Sequence, residues 1–275
     1  MKTNLKISIL ICILLTGSLT YAQEEEIEDP AKAAQNPLAN VISMPFQNNT
    51  DFGIGIYDKT ANVTNIQPVV PVTLGEKGWL LINRLIIPFP KSTPVAALEH
   101  EDNITGIGDI NYTAWFSPPG KGKLTWGFGP VTIWPTASDD RLGQGKFSVG
   151  PSFVFVYGTP KLMAAAIVSN WFSVAGDSDR PDVNTFYFQY ILTYFLQNKW
   201  YLSTAPINLA NWEANENDQR WTIPIGGGFG KMFNLGKLPM DFQVQGFYNA
   251  VKPDTSGDWS MRIQLKLIFP TGKKK

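Results

Sequence analysis

The stretch Trp259-Ser260-Met261-Arg262-Ile263-Gln264-Leu265-Lys266-Leu267-Ile268-Phe269 decides the fold. Trp259, Met261, Ile263, Leu265, Leu267 and Phe269 alternate with Ser260, Arg262, Gln264, Lys266 and Ile268. A period of two is that of a β-strand, whose successive side chains point to opposite faces. Here one face is apolar and the other mostly polar. The stretch is also longer than the usual strand of about 5 or 6 residues, and matches the roughly 9 to 11 tilted residues that cross a bilayer.

The same alternation recurs upstream. Met240, Phe242, Val244, Gly246 and Tyr248 oppose Asp241, Gln243, Gln245 and Asn249. Phe186, Phe188, Tyr190, Leu192 and Tyr194 oppose Tyr187, Gln189 and Thr193. Phe147, Val149, Pro151, Phe153, Phe155 and Tyr157 oppose Ser148, Gly150 and Ser152, and Gly108, Ile110, Tyr112, Ala114 and Phe116 oppose Asp109, Asn111 and Thr113. Aromatics stand near the ends of the apolar faces, as with Trp126 and Trp134, where an interfacial girdle belongs. Connections alternate in length: short near 75–78, 118–122, 158–160, 197–199 and 234–236, longer near 48–61, 90–105, 135–145, 176–183, 210–219 and 252–258. The short turns are mostly flanked by lysine, and the long loops carry most of the Asp and Glu. This rhythm predicts an all-β fold, a transmembrane antiparallel up-and-down β-barrel of about twelve strands, in the outer membrane, with both termini on the short-turn side. A secreted soluble sandwich shows the same alternation but would expose far too much aromatic surface.

Composition agrees. Only 17% of the 275 residues are charged and 13% are aromatic, a balance suited to a β-rich membrane protein. Lys+Arg and Asp+Glu number 23 each, which lacks the basic excess of a nucleic-acid binder. No stretch approaches 18 continuous apolar residues, so helices are not the means of spanning; a closed barrel is the other structure that pairs every backbone polar group inside lipid.

Residues 1–22 read as a secretory signal peptide. Lys2 and Lys6 give a positive start, 7–15 a short apolar core, and Thr20-Tyr21-Ala22 a small-residue cleavage site before Gln23. Cys12, the single cysteine, lies in that core, so the mature chain has no disulfide, thiol nucleophile or cysteine metal site. Residues 23–40 form an acidic N-terminal segment whose 31–40 portion suits a short helix or plug, and the barrel is expected over 41–275.

The second half carries a resemblance. Trp221-Thr222-Ile223-Pro224-Ile225-Gly226-Gly227-Gly228-Phe229-Gly230-Lys231, then Leu235-Gly236-Lys237-Leu238-Pro239, Tyr248-Asn249 and the 259–270 strand resemble the outer-membrane transporter family named for the phenol-degradation pathway, some of whose members carry the mislabel neuromedin U. Ala33-Ala34-Gln35-Asn36-Pro37, Pro45-Phe46-Gln47-Asn48-Asn49, Asn83-Arg84, Gly106-Ile107-Gly108-Asp109, Leu142-Gly143-Gln144-Gly145-Lys146 and Asn211-Trp212 agree with it. The resemblance implies an outer-membrane transporter and brings no catalytic residues.

The residues themselves offer little for catalysis. His100, the only histidine, sits among acids in Glu99-His100-Glu101-Asp102, within an expected loop, whereas a barrel phospholipase needs a His–Ser pair on a strand face. Asp139-Asp140, Asp177 with Asp179 and Asp182, and Glu213 with Glu216 and Asp218 are acidic loop clusters. Such clusters can hold calcium but are more often solvated, so neither metal nor cofactor is assigned. The glycines at 226–228 and 230 lack the helix and Lys-Ser/Thr pair of a phosphate loop; in a strand they allow curvature or the close approach of a neighbouring side chain.

The inward polar set is the candidate site. Arg84, Asp109, Asn111, Gln189, Thr193, Arg220, Asp241, Gln243, Gln245, Arg262, Gln264 and Lys266 should line the lumen, with Trp115 and Trp171 as stacking platforms or filler. Mixed charges in a narrow interior either pair and fill it or line a selective path. The expectation is a narrow channel for small, apolar or aromatic solutes, occluded in part by residues 31–46, and not an enzyme. The alternative is a structural or surface-binding barrel acting through its acidic loops. The implied partners are outer-membrane lipids, lipopolysaccharide, the barrel-insertion machinery and a small solute, and not nucleic acid.

Overall fold

The computed structural model describes residues 30–55, 57–92, 104–120 and 122–269. The expected signal peptide over 1–22, the acidic residues 23–29 and His100 lie outside the described residues. A short helix, α1 (Pro30–Gln35), precedes twelve antiparallel staves. These are β1 (Ile42–Ile54), β2 (Lys59–Ile66 continued by Val69–Leu74), β3 (Trp79–Ser92), β4 (Ile110–Ser117), β5 (Leu124–Trp134) and β6 (Lys146–Gly158). They continue as β7 (Leu162–Gly176), β8 (Asn184–Phe195), β9 (Trp200–Thr204 continued by Ile207–Asn211), β10 (Trp221–Leu235), β11 (Leu238–Val251) and β12 (Trp259–Phe269). Each stave pairs with its sequence neighbours, and β12 returns to β1 from Ile42↔Phe269 to Phe52↔Trp259, closing the ring. Closure removes both sheet edges. No helix among the described residues is long and apolar enough to cross a membrane.

The period-two pattern determines what faces where. On β12, Trp259 and Met261 are exposed while Arg262, Gln264 and Ile268 are buried. On β6, Phe153, Phe155 and Tyr157 are exposed while Ser148, Ser152, Val154 and Val156 are buried. Aromatics pair across staves at both ends of the wall. Tyr248 and Trp259 lie 4.7 Å apart and Trp134 and Phe147 4.9 Å at the loop end, and Trp200 and Phe229 lie 6.1 Å apart at the turn end. Trp126 and Trp134, eight residues apart on β5, are separated by about 27 Å along the strand, comparable to the roughly 25 Å apolar band of a membrane barrel.

Two staves are interrupted. β2 breaks at Gln67-Pro68 and β9 at Ala205-Pro206. Proline has no N–H to give to a ladder, so the strand ladder lapses at each break. Gln67 N donates to Pro45 O at 2.9 Å, whereas Ala205 O is taken up by lumen side chains.

One expected loop is a strand extension. Where a loop was expected over 48–61, β1 runs on to Ile54, which pairs with Lys59 on β2. The polar side chains that suggested a loop bond one another across the outer wall. Asn48 Nδ2 donates to Asn62 Oδ1 and Thr64 Oγ1, both at 2.9 Å, and Asn62 Nδ2 to Thr50 Oγ1 at 2.7 Å.

Candidate functional site

The lumen is built in three storeys. At the turn end, α1 lies inside the ring. Its small side chains, Ala31 and Ala34, pack on Met232 and Ile268. Asn36 Oδ1 then caps the Leu38 N–H at 2.9 Å, and the Leu38 side chain joins Ile82, Trp115, Val154 and Ile167 in the buried cluster. Gly127 leaves the room: a Cβ there would stand 3.3 Å from Leu38 Cδ2 and 3.2 Å from Val154 Cγ1. The expected occluding stretch 31–46 is shorter in the structure, because residues from Ile42 onward belong to the wall and Phe46 is exposed outside.

The helix is fastened to the last two staves. Gln35 Nε2 donates to Asp241 Oδ2 at 3.0 Å, and Tyr201 Oη donates to Asp241 Oδ1 at 2.8 Å. Lys266 Nζ donates to Ala34 O, one of the carbonyls that a helix C-terminus leaves unpaired. Asp241 is fully buried, and a carboxyl group there needs such partners. Tyr201 reaches it across Gly230, where a Cβ would collide with the phenol ring.

The middle storey is a neck. A cavity of about 130 Å³ next to α1 and one of about 540 Å³ above it meet at Gln47, Gln67, Arg84, Gln189 and Arg262. Arg84 Nη2 donates to Gln67 Oε1 at 3.0 Å. Arg262 donates from Nε to Asn49 Oδ1 at 3.1 Å and from Nη1 to Ala205 O at 2.8 Å, with its guanidinium 5.2 Å from the Phe247 ring centre. Gln189 Nε2 donates to the same Ala205 carbonyl at 3.2 Å. The neck therefore forms where the two proline-broken staves release Gln67 and Ala205 into the lumen. Among the described residues no carboxylate lies within ion-pair distance of Arg84, Arg262 or Lys266. The ion pairs Arg141–Asp139, Lys146–Asp182 and Lys252–Asp258 all stand at the loop end.

The upper storey is a vestibule of about 1200 Å³ at the loop end, which shares Leu209, Thr222 and Thr255 with the cavity above the neck. Trp171 lines it, 6.0 Å from the Tyr187 ring. Asp109 and Arg220, expected on lumen strand faces, stand at this mouth instead. Asp109 accepts backbone N–H bonds from Ala137 at 3.2 Å and Gln144 at 2.6 Å, tying down the 135–145 loop. Arg220 follows the turn Asn217–Gln219 and stacks over Trp212 at 5.7 Å. Both precede their strands, so the strand alternation does not govern them. On the same rim Asp139 caps the turn Asp140–Leu142. The Arg141 side chain and backbone N–H hold its carboxylate down at about 2.

The other expected residues divide by depth. Gln243, Gln264 and Lys266 line the lower cavity. Gln245 is buried and gives Nε2 to Ser203 O at 3.2 Å, Thr193 bonds Ser203 at 3.2 Å, and Asn111 bonds Thr113 at 3.3 Å within the wall. Trp115 is 1% exposed, its Nε1 donating to Ser152 Oγ at 2.9 Å. It is packing for Leu38, with only an edge on the lower cavity, and not an open platform. Gln35, Gln47, Gln67, Tyr201 and the Ala205 carbonyl were absent from the expected set. Tyr201 had a sequence signal in the opposing glycine run, and Gln67 and Ala205 in the prolines that follow them. No group of three or more His, Cys, Asp or Glu among the described residues is placed to share a metal ion.

A closed twelve-stave barrel with a lipid-matched outer face and a polar lumen defines the outer-membrane β-barrel class. No family model matches the chain, nor does any curated protein. Among solved structures it is similar to the COG4313 outer membrane channel from Pseudomonas putida F1, with a TM-score of 0.64 and 15% identity over 90% of this chain and 100% of that one. It is also similar to the NanC porin, with a TM-score of 0.52 and 10% identity over 83% of this chain and 99% of that one. At these identities the likeness is one of fold.

Proposed function

We propose that this chain is an outer-membrane channel for small solutes, closed at rest by residues 30–41 and selecting anions over cations at its neck. The observation that carries it is the neck itself: Arg84 and Arg262 face adjoining cavities, the lower lined by no acid and the upper by Asp51 alone, and neither arginine has a carboxylate within ion-pair distance among the described residues. Arg and Lys linings are how pores favour anions. The fold shared with a protein described as an outer membrane channel supports the reading, as does the motif resemblance to the phenol-pathway transporters. In this reading the vestibule faces outward, α1 stops the periplasmic half, and the solute passes when α1 leaves.

Planar-bilayer conductance tests it. The full chain is expected to conduct little, and deletion of 30–41 to raise conductance several-fold. In a salt gradient the opened channel should reverse at the anion side, and the Arg84→Glu variant should move that potential toward the cation side. A folded barrel lacking 30–41 that passes neither ions nor solutes would overturn the channel and favour a non-transporting barrel that acts through its loops.

A further inference from the structure

We infer that the cavity between α1 and the neck is a binding site for a small monocarboxylate with an apolar body, of about the bulk of one aromatic ring. The inference deepens the channel reading by naming a solute class, and rests on it for its purpose but not for its geometry.

Three observations converge on this cavity. The first is charge. Arg84, Arg262 and Lys266 line it, and none of its lining residues is acidic. Lys266 and Arg262 are each held by bonds to backbone carbonyls, of Ala34 and Ala205. Arg84 has its one protein bond, among the described residues, at Nη2, which leaves its other guanidinium donors to an occupant of the cavities it lines. A guanidinium fork suits a carboxylate, because it can give two parallel N–H bonds to the two oxygens. Amide groups of Gln47, Gln243 and Gln264 surround the cations, supplying further donors without adding negative charge.

The second is the opposite wall. Ile167 and Ile191, on β7 and β8, line it, while Val41 and Val69 stand beside the cations, Val69 as the strand partner of Arg84. Cations on one side and apolar side chains on the other match a solute that carries its charge at one end, and match neither a bare inorganic anion nor a neutral hydrocarbon. The third is size. The cavity measures about 130 Å³, close to the roughly 150 Å³ that accommodates benzene in an engineered apolar cavity. Because α1 supplies part of its wall, the site exists in the closed protein and would hold its occupant where the exit opens.

The test is equilibrium binding of benzoate to the purified full-length protein in detergent, read by calorimetry and referenced to an unrelated barrel in the same micelles. Benzoate is expected to bind saturably, with benzyl alcohol and acetate each weaker by about tenfold or more, one lacking the charge and the other the apolar body. Arg84→Gln should lower benzoate affinity by about tenfold, and Arg84→Lys should retain most of it. Unchanged heat-modifiable mobility would establish that both variants fold. Benzyl alcohol binding as tightly as benzoate, chloride displacing benzoate at equal concentration, or an Arg84→Gln variant with unaltered affinity would each overturn the site. Benzoate binding without conductance from the opened barrel would sink the channel and leave the site standing. Conductance without benzoate binding would do the reverse.

Discussion

Single residues in this barrel do more by whom they hold than by what they expose. Asp241 is the clearest case. It accepts from Gln35 on the segment inside the lumen and from Tyr201 on the wall. Truncation to alanine would leave both donors without their acceptor, a loss on the order of 1–3 kcal/mol for a buried polar group. Asp241→Ala should therefore lower the melting temperature and raise conductance together, as read by gel mobility on heating and by bilayer recording. Asp139 works locally. Its carboxylate is held near 2 by Arg141, below its ordinary value, so its support for the rim turn is complete above that ordinary value and fades as pH falls toward 2. An NMR titration should find this carboxylate charged at pH 4. Observing it half-protonated there would mean that the Arg141 contact is absent in solution. Of these roles the sequence displayed the inward position of Asp241, by alternation. Its partners lie more than 200 positions away in one case, and no local pattern encodes them.

At the level of elements, periodicity was the legible part. The staves, their faces and their number follow from alternation and from the spacing of turns, because a side chain's face is fixed by its parity along the strand. What parity cannot express is where a stave breaks or outlasts its apolar residues. The stretch 48–61 looked like a loop, yet β1 stays paired because its amides and hydroxyls bond Asn62 and Thr64 across the hairpin. The breaks at Pro68 and Pro206 were visible as prolines, but their effect, delivering Gln67 and the Ala205 carbonyl to the neck, depends on register with distant staves. Stave β10 offers a direct check. A valine at Gly230 would occupy the space of the Tyr201 ring, and overpacking of this kind costs about 1–3 kcal/mol. Gly230→Val should fold less efficiently and bind α1 less firmly, seen as faster proteolysis of the N-terminal segment. The same substitution at Gly246, which has nothing within 4 Å of a Cβ, should be silent.

For the molecule as a whole, the placement of α1 has a mechanical side. The ring is closed where β1 meets β12. The segment before β1 reaches inward to grip Asp241 on β11 and the Lys266 side chain on β12. It thus braces the joint between the first and last strands from within, adding side-chain bonds to a seam otherwise held by its backbone ladder. In the proposed channel, withdrawing the brace to let a solute through would loosen the wall at the one place where the first and last staves are zipped together. Permeability and durability would then trade against each other, the shut barrel being the sturdier of the two proposed states.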